Sequence, residues 1–222
     1  TGFVTEENKD QYKPLPVGVS LQYANREPRF YASVAYNGSV WEMTTSYDED
    51  KRFYRAWYYH GLENGKLAQS PDLYLRTGIG VKKFYNPQDS YQNGGRIIHK
   101  TEPAIRYAEV LLIYAEALNE LSSSYEISSW DGSKTYTIKR DEAEMAKGIE
   151  PIRIRAGVPN YKAEVYNNKD LFRKALKRER QIELFAEGHR YYDLRRWKDA
   201  PEEEATMMYG CNTNIGENNR DL

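Results

Sequence analysis

The stretch Ile105-Arg-Tyr-Ala-Glu-Val-Leu-Leu-Ile-Tyr-Ala-Glu-Ala-Leu-Asn-Glu120 governs how the rest of the chain reads. Arg106, Glu109, Ile113, Glu116 and Glu120 recur at steps of three and four, which gathers the charges on one helical stripe. Ile105, Tyr107, Ala108, Leu111, Leu112, Ala115, Leu118 and Leu121 cover the remainder, an apolar arc wide enough for a helix with packing neighbours on two sides. Thr101 or Glu102 is placed to cap its first turn, and Pro103 sits where a missing N–H is harmless.

Working outward, Ser122 to Lys134 reads as a polar loop carrying Trp130. Asp141 to Val158 is a weaker helical segment whose Gly148 and Pro151 predict a break or kink near Glu150. Asp170 to Glu187 is a strong helix stopped by Gly188, and Tyr191 to Lys198 a short one stopped before Pro201. Upstream, residues 1–100 read as strands and loops. Phe30 to Tyr36, then Asn37-Gly38, then Ser39 to Thr44 predicts a hairpin over 30–44, because both turn positions of such a hairpin need positive φ. Asn37-Gly38-Ser39 also fits a glycosylation sequon, but the turn accounts for the same residues. Ile79 to Tyr85 is a second extended piece. The expected organisation is a strand and loop region over 1–100, a helical region over 101–200 and an irregular tail over 201–222. The fold class is mainly α, with helix pairs stacked in a solenoid-like manner, one β-hairpin and long irregular loops.

Composition narrows the function. The chain has 222 residues, with 32 Lys plus Arg against 33 Asp plus Glu and a net charge of -1, so it has no bulk field to gather a polyanion. Arg173 to Lys198 is locally basic, but Glu179, Glu183, Glu187 and Asp193 interleave with its bases at helical spacing, as an intramolecular ion-pair lattice would. One Cys, Cys211, excludes an intrachain disulfide. The longest apolar run is too short for a membrane span, for which about 20 residues are needed. The 20 Tyr beside 4 Trp and 6 Phe supply flat apolar faces with polar tips, suited to a half-wet core or to stacking on a ligand.

Catalytic and cofactor chemistry finds no candidate. His60, His99 and His189 are widely spaced, and no HExxH pair exists, so neither a metal nor a cofactor is expected. Glu187-Gly188-His189 has the wrong spacing for a di-metal Glu-x-x-His motif. Gly78-Ile-Gly80 lacks the third glycine and the helix start of a dinucleotide fingerprint. Gly61 to Lys66 is one residue short of a phosphate loop. There is no GxSxG elbow and no Cys-His arrangement, so catalytic residues are not expected.

Several ordered blocks do carry a resemblance. Ile105 to Glu120, then Ile152-Arg-Ile-Arg-Ala-Gly157, then Glu179-Arg-Gln-Ile-Glu-Leu-Phe-Ala-Glu-Gly188 and Arg190-Tyr-Tyr-Asp-Leu-Arg-Arg-Trp197 resemble, in that order, the C-terminal signature of SusD/RagB nutrient-binding lipoproteins. Pro28-Arg-Phe30, Thr77-Gly78 and Lys83-Phe84 are similar to that family's middle region. The resemblance implies tetratricopeptide-like helix pairs, a lipid anchor at the outer membrane, exposure at the cell surface and a SusC-like TonB-dependent transporter as partner. It also implies capture of glycans, or sometimes peptides, without catalysis. Because members are longer and begin with a lipoprotein signal, it implies further that the chain is a fragment of one larger domain. Arg106, Glu109, Glu116, Arg153, Arg155, Glu179, Arg180, Glu183, Glu187 and Arg190 are expected to interlock between helices as scaffold.

The ligand contacts are not part of that signature and rest on chemistry. Sugar rings stack on Trp and Tyr while neighbouring polar groups bond the hydroxyls. Trp41 to Tyr59 offers Trp41, Tyr47, Tyr54, Trp57 and Tyr58 among Asp48, Asp50, Arg52 and Arg55, with Phe53 expected to pack inside; Trp130 beside Asp131 is a further candidate. Two other readings stand beside the binding protein. A helical-repeat protein–protein adaptor would share the helices without needing the aromatic first half. A glycan-degrading enzyme would need a carboxylate pair in a cleft.

Overall fold

A computed structural model of the chain describes residues 2–67, 72–90, 94–207, 209, 212 and 214–216. The chain divides into two compact units, Thr1–Thr101 with Pro201–Leu222, and Glu102–Ala200. Among the described residues there are seven helices and three two-stranded antiparallel pairs, so the fold is mixed and dominated by helix.

In the first unit, α1 (Pro28–Ser33) begins with Pro at its first turn, where the missing donor costs nothing. It is followed by β1 (Val34–Ala35), β2 (Ser39–Glu42), β3 (Phe53–Ala56) and β4 (Gly80–Val81). The hairpin expected over 30–44 does not form. The turn itself is present, with Ser39 N–H donating to Tyr36 O at 2.9 Å and Gly38 at φ 87°. Its flanks, however, pair elsewhere, β1 with β4 and β2 with β3. The helix that Pro28 nucleates leaves only two residues for β1. Asn37 then turns its side chain away, accepting the Tyr58 N–H at 2.8 Å, while Gly38 N–H donates to Ala56 O at 2.8 Å. The turn is thus tied to the end of β3. Around it lies a core of Val4, Leu15, Val19, Tyr23 and Tyr36, with Phe30, Tyr31 and Trp57 packed against it. Tyr36 meets Tyr23 at 4.9 Å and stacks on Phe30 at 5.5 Å between ring centres.

The second unit holds α2 (Tyr107–Glu120), the hairpin of β5 (Tyr125–Ser128) and β6 (Thr135–Ile138), then α3 (Glu142–Arg155), α4 (Ala163–Asn167), α5 (Lys169–Glu183) and α6 (His189–Trp197). The short α7 (Ala200–Glu203) follows, so helix resumes at the Pro201 expected to end it. No helix among the described residues is long and apolar enough to cross a membrane. Asp141 caps α3 through the Glu144 N–H, and Asn168 caps α5 through the Asp170 and Leu171 N–H groups, all at 3.0 Å. Leu112, Met145, Ile149, Phe172 and Leu176 are fully buried between α2, α3 and α5. A Cβ at Gly148 would lie 2.5 Å from Leu111 O, so this glycine sets how closely α3 approaches α2.

Three expectations change here. Helix α2 starts at Tyr107 rather than near Pro103, and its N-cap is Arg106, whose side chain is drawn away to acids at the end of α5. Helix α3 runs unbroken through Pro151, because Ile149 and Ile152 on either side are both buried. The polar loop over 122–134 is in part strand, since Tyr125 and Ile127 alternate with Glu126 and Ser128 and pair with Tyr136 and Ile138 across the hairpin.

Eight of the ten charges expected to interlock do so, and Glu109 lies 3.5 Å from His189 instead of an arginine. Glu183, 4% exposed, takes Arg106 Nη1 at 3.0 Å and Arg155 Nη2 at 2.5 Å. Arg106 also grips Glu187 with two hydrogen bonds, at 2.7 and 2.8 Å, and donates to the Glu183 carbonyl at 3.0 Å, closing the end of α5. Glu179 accepts from Arg153 at 2.6 Å and from the Tyr161 hydroxyl at 3.0 Å. Arg180 holds Asp193 at 3.0 and 3.1 Å, and Arg196 joins Asp193 to Glu116. Glu183→Ala removes a buried carboxylate from Arg106, which keeps Glu187, and from the half-exposed Arg155, and is expected to lower unfolding free energy by about 2 kcal/mol. Glu49→Ala, which removes an exposed partner of Arg52, is expected to change it by less than about 0.5 kcal/mol. Guanidinium denaturation of the two variants beside wild type checks the contrast.

Candidate functional site

Strand alternation builds the site. Register places Trp41 opposite Tyr54 and Ser39 opposite Ala56, so these four side chains share one face of the β2–β3 pair. Met43 and Tyr58 continue the same alternation beyond the strand ends. Trp41, Met43, Tyr54, Ala56 and Tyr58 line an open cleft of about 720 Å³, and its other walls come from Lys51, Glu63, Asn64, Leu73, Tyr74 and Leu75. On the opposite face Arg55 reaches inward, its Nη1 donating to Val17 O at 3.2 Å, while Phe53 at the strand start stays exposed. The size and the predominance of apolar and aromatic walls suit a small organic ligand.

The aromatic walls are held by polar tips. Trp41 meets Tyr85 edge to face at 4.9 Å. The Tyr54 hydroxyl donates to Glu63 Oε2 at 3.2 Å; burial first, then the nearby carboxylate, pushes its phenol up to about 12. Burial likewise raises the Tyr58 phenol, partly offset by a hydrogen bond from the Trp41 side chain. Both hydroxyls therefore stay protonated at neutral pH. Lys66 lies 5.7 Å from the centre of the Tyr74 ring and braces the far wall.

Of the six residues singled out in the sequence, the structure brings together Trp41, Tyr54 and Tyr58 in this cleft. Trp57 does not join them. It points to the core face with Arg55, stacks on Tyr59 at 5.7 Å and covers Gly38, where a Cβ would come within 2.9 Å of its ring. Its neighbour Tyr58 faces the cleft for the same reason that Trp57 cannot. Tyr47 is 67% exposed outside the cleft and donates to Gly94 O at 3.1 Å. Trp130 is 99% exposed in the turn of the β5–β6 hairpin, within the second unit, and Phe53, expected inside, is 66% exposed. Sequence reasoning missed Met43, Lys51, Glu63, Asn64 and the 73–75 wall. The alternation from position 54 to 58 was the available signal for separating Trp57 from its neighbours; the distant walls leave no local signal.

Residues 3–221 match the family model described as SusD family. A protein named SusD-like protein P2, from Formosa agariphila, is 34% identical over 119 residues, which cover 53% of this chain and 21% of that relative. The match thus spans about a fifth of that relative's length. No solved structure matches.

The two faces of β3 separate in a stability measurement. Trp57→Ala opens the packing over Gly38 and Val19 and is expected to cost about 2 kcal/mol. Trp130→Ala removes a side chain in open solvent and is expected to shift stability by less than about 0.5 kcal/mol. Thermal melts of both variants provide the comparison.

Proposed function

The chain belongs to the SusD family, and from that premise we propose that it is part of a cell-surface protein that binds oligosaccharides and delivers them, unaltered, to a TonB-dependent outer-membrane transporter. The observation that carries the binding part of this reading is the cleft walled by Trp41, Tyr54 and Tyr58. A sugar ring offers a C–H face that stacks on an indole or phenol and a rim of hydroxyls that bond polar neighbours, and this cleft supplies both kinds of group. The relative's name, SusD-like protein P2, agrees with the family and goes no further.

Further features follow from the same premise. The helix pairs of the second unit are read as tetratricopeptide-like stacking, and the protein as a lipoprotein tethered at the outer membrane. Trp130 and Tyr47 are read as auxiliary sugar contacts, supported by their exposure. The ion-pair lattice of the second unit is assigned to scaffold, because its acids are already engaged by arginine. In calorimetric titration with soluble oligosaccharides, Trp41→Ala is expected to weaken binding about tenfold through loss of one stacking face. Unchanged affinity in that variant would remove the cleft from consideration.

A further inference from the structure

The cleft is closed on one side by a loop whose path is over-determined. Leu62 N–H donates to Tyr59 O at 3.2 Å, Gly65 N–H to Leu62 O at 2.9 Å and Gly61 N–H to Lys66 O at 3.0 Å. A Cβ at Gly65 would stand 1.8 Å from Tyr59 O, so the loop lies directly on the backbone that follows β3, and any side chain there would lift it off. Of the two glycines that imitate a phosphate loop in the sequence, Gly65 permits this close approach, while Gly61, with open space where a Cβ would stand, supplies a left-handed turn at φ 86°. Their effect is to hold Glu63 and Asn64 on the cleft wall.

Glu63 is engaged by the Tyr54 hydroxyl. Asn64 differs: its amide oxygen is enclosed and has no donor among the described residues. Loop asparagines ordinarily earn their place by binding nearby backbone N–H groups. Asn37, Asn86 and Asn168 of this chain all do so. Asn64 contributes to none of the hydrogen bonds that shape its loop. An enclosed acceptor without a donor is unfavourable, and rotation of the short side chain toward the space it already lines relieves it.

We propose that Asn64 is the hydrogen-bonding anchor of the cleft, turning its amide to accept a hydroxyl of the bound ligand. The site then prefers hydroxyl-bearing rings to apolar rings of the same shape. This rests on the oligosaccharide reading above and adds a specificity-determining group to the stacking faces of Trp41 and Tyr54. The test is calorimetry of the whole protein with neutral gluco-, xylo- and galacto-oligosaccharides of about four to six rings, on wild type, Asn64→Ala and Trp41→Ala, with thermal melts alongside. Asn64→Ala is expected to lose about five- to tenfold in affinity while melting no lower than wild type, because no internal hydrogen bond is lost. Full affinity in Asn64→Ala beside a loss in Trp41→Ala overturns the anchor and leaves the oligosaccharide reading standing. A lowered melting temperature with full affinity makes Asn64 structural and also overturns it. Absence of binding by wild type to every sugar removes both readings together.

Discussion

Glu183 is nearly buried, yet it meets arginines from two other parts of the second unit: Arg106 at the start of α2 and Arg155 at the end of α3. Three helix ends are thereby fixed against one carboxylate. Apolar contact among Leu112, Ile149 and Phe172 supplies the greater part of the burial, but it is tolerant of small rotations of one helix on another. A carboxylate shared by two guanidinium groups is directional. It permits one arrangement and makes every alternative leave a charge unpaired in a poor solvent, which is the sense in which such networks specify more than they stabilise. Glu179 with Arg153, and Asp193 with Arg180, repeat the device along α5 and α6.

The first unit follows a different rule. It has little regular structure, and its two short strand pairs are held in place by aromatic packing and by side chains that reach backbone groups: Tyr31 to Tyr23 O, Arg55 to Val17 O, Tyr85 to Glu42 O. The tyrosine excess of the sequence is divided accordingly. Tyr23 and Tyr36 are core, Tyr58 lines the cleft while nearly buried, and Tyr54 and Tyr74 border open space with a hydroxyl or ring fixed by a neighbour.

Helices were legible where period and charge agreed. The stripe of Arg106, Glu109, Glu116 and Glu120 announces α2, and the acids and bases of α5 announce their own lattice, because both patterns are local and repeat every turn. The start of α2 was misread because Pro103 is a sound local signal that loses to a distant one, the pull of Glu183 and Glu187 on Arg106. Asn37-Gly38 shows the same limit: a turn is encoded within four residues, while the strands it joins depend on partners such as Val81 and Ala56 that no local pattern names. In the candidate site, Trp41, Tyr54 and Tyr58 stood out as aromatics among polar residues. Glu63 and Asn64 did not, since their placement follows from the contact of Gly65 with the Tyr59 carbonyl, a fact of three dimensions.

The alternation along β3 has a consequence for how such a protein can diverge. Positions 54, 56 and 58 border the cleft, while 55 and 57 bind the core, through the Val17 carbonyl and the surface of Gly38. Five consecutive residues thus answer to two separate sets of contacts, and a change at position 54, half-buried on the cleft side, can reshape the cleft wall while Arg55 and Trp57 keep their hold on the core.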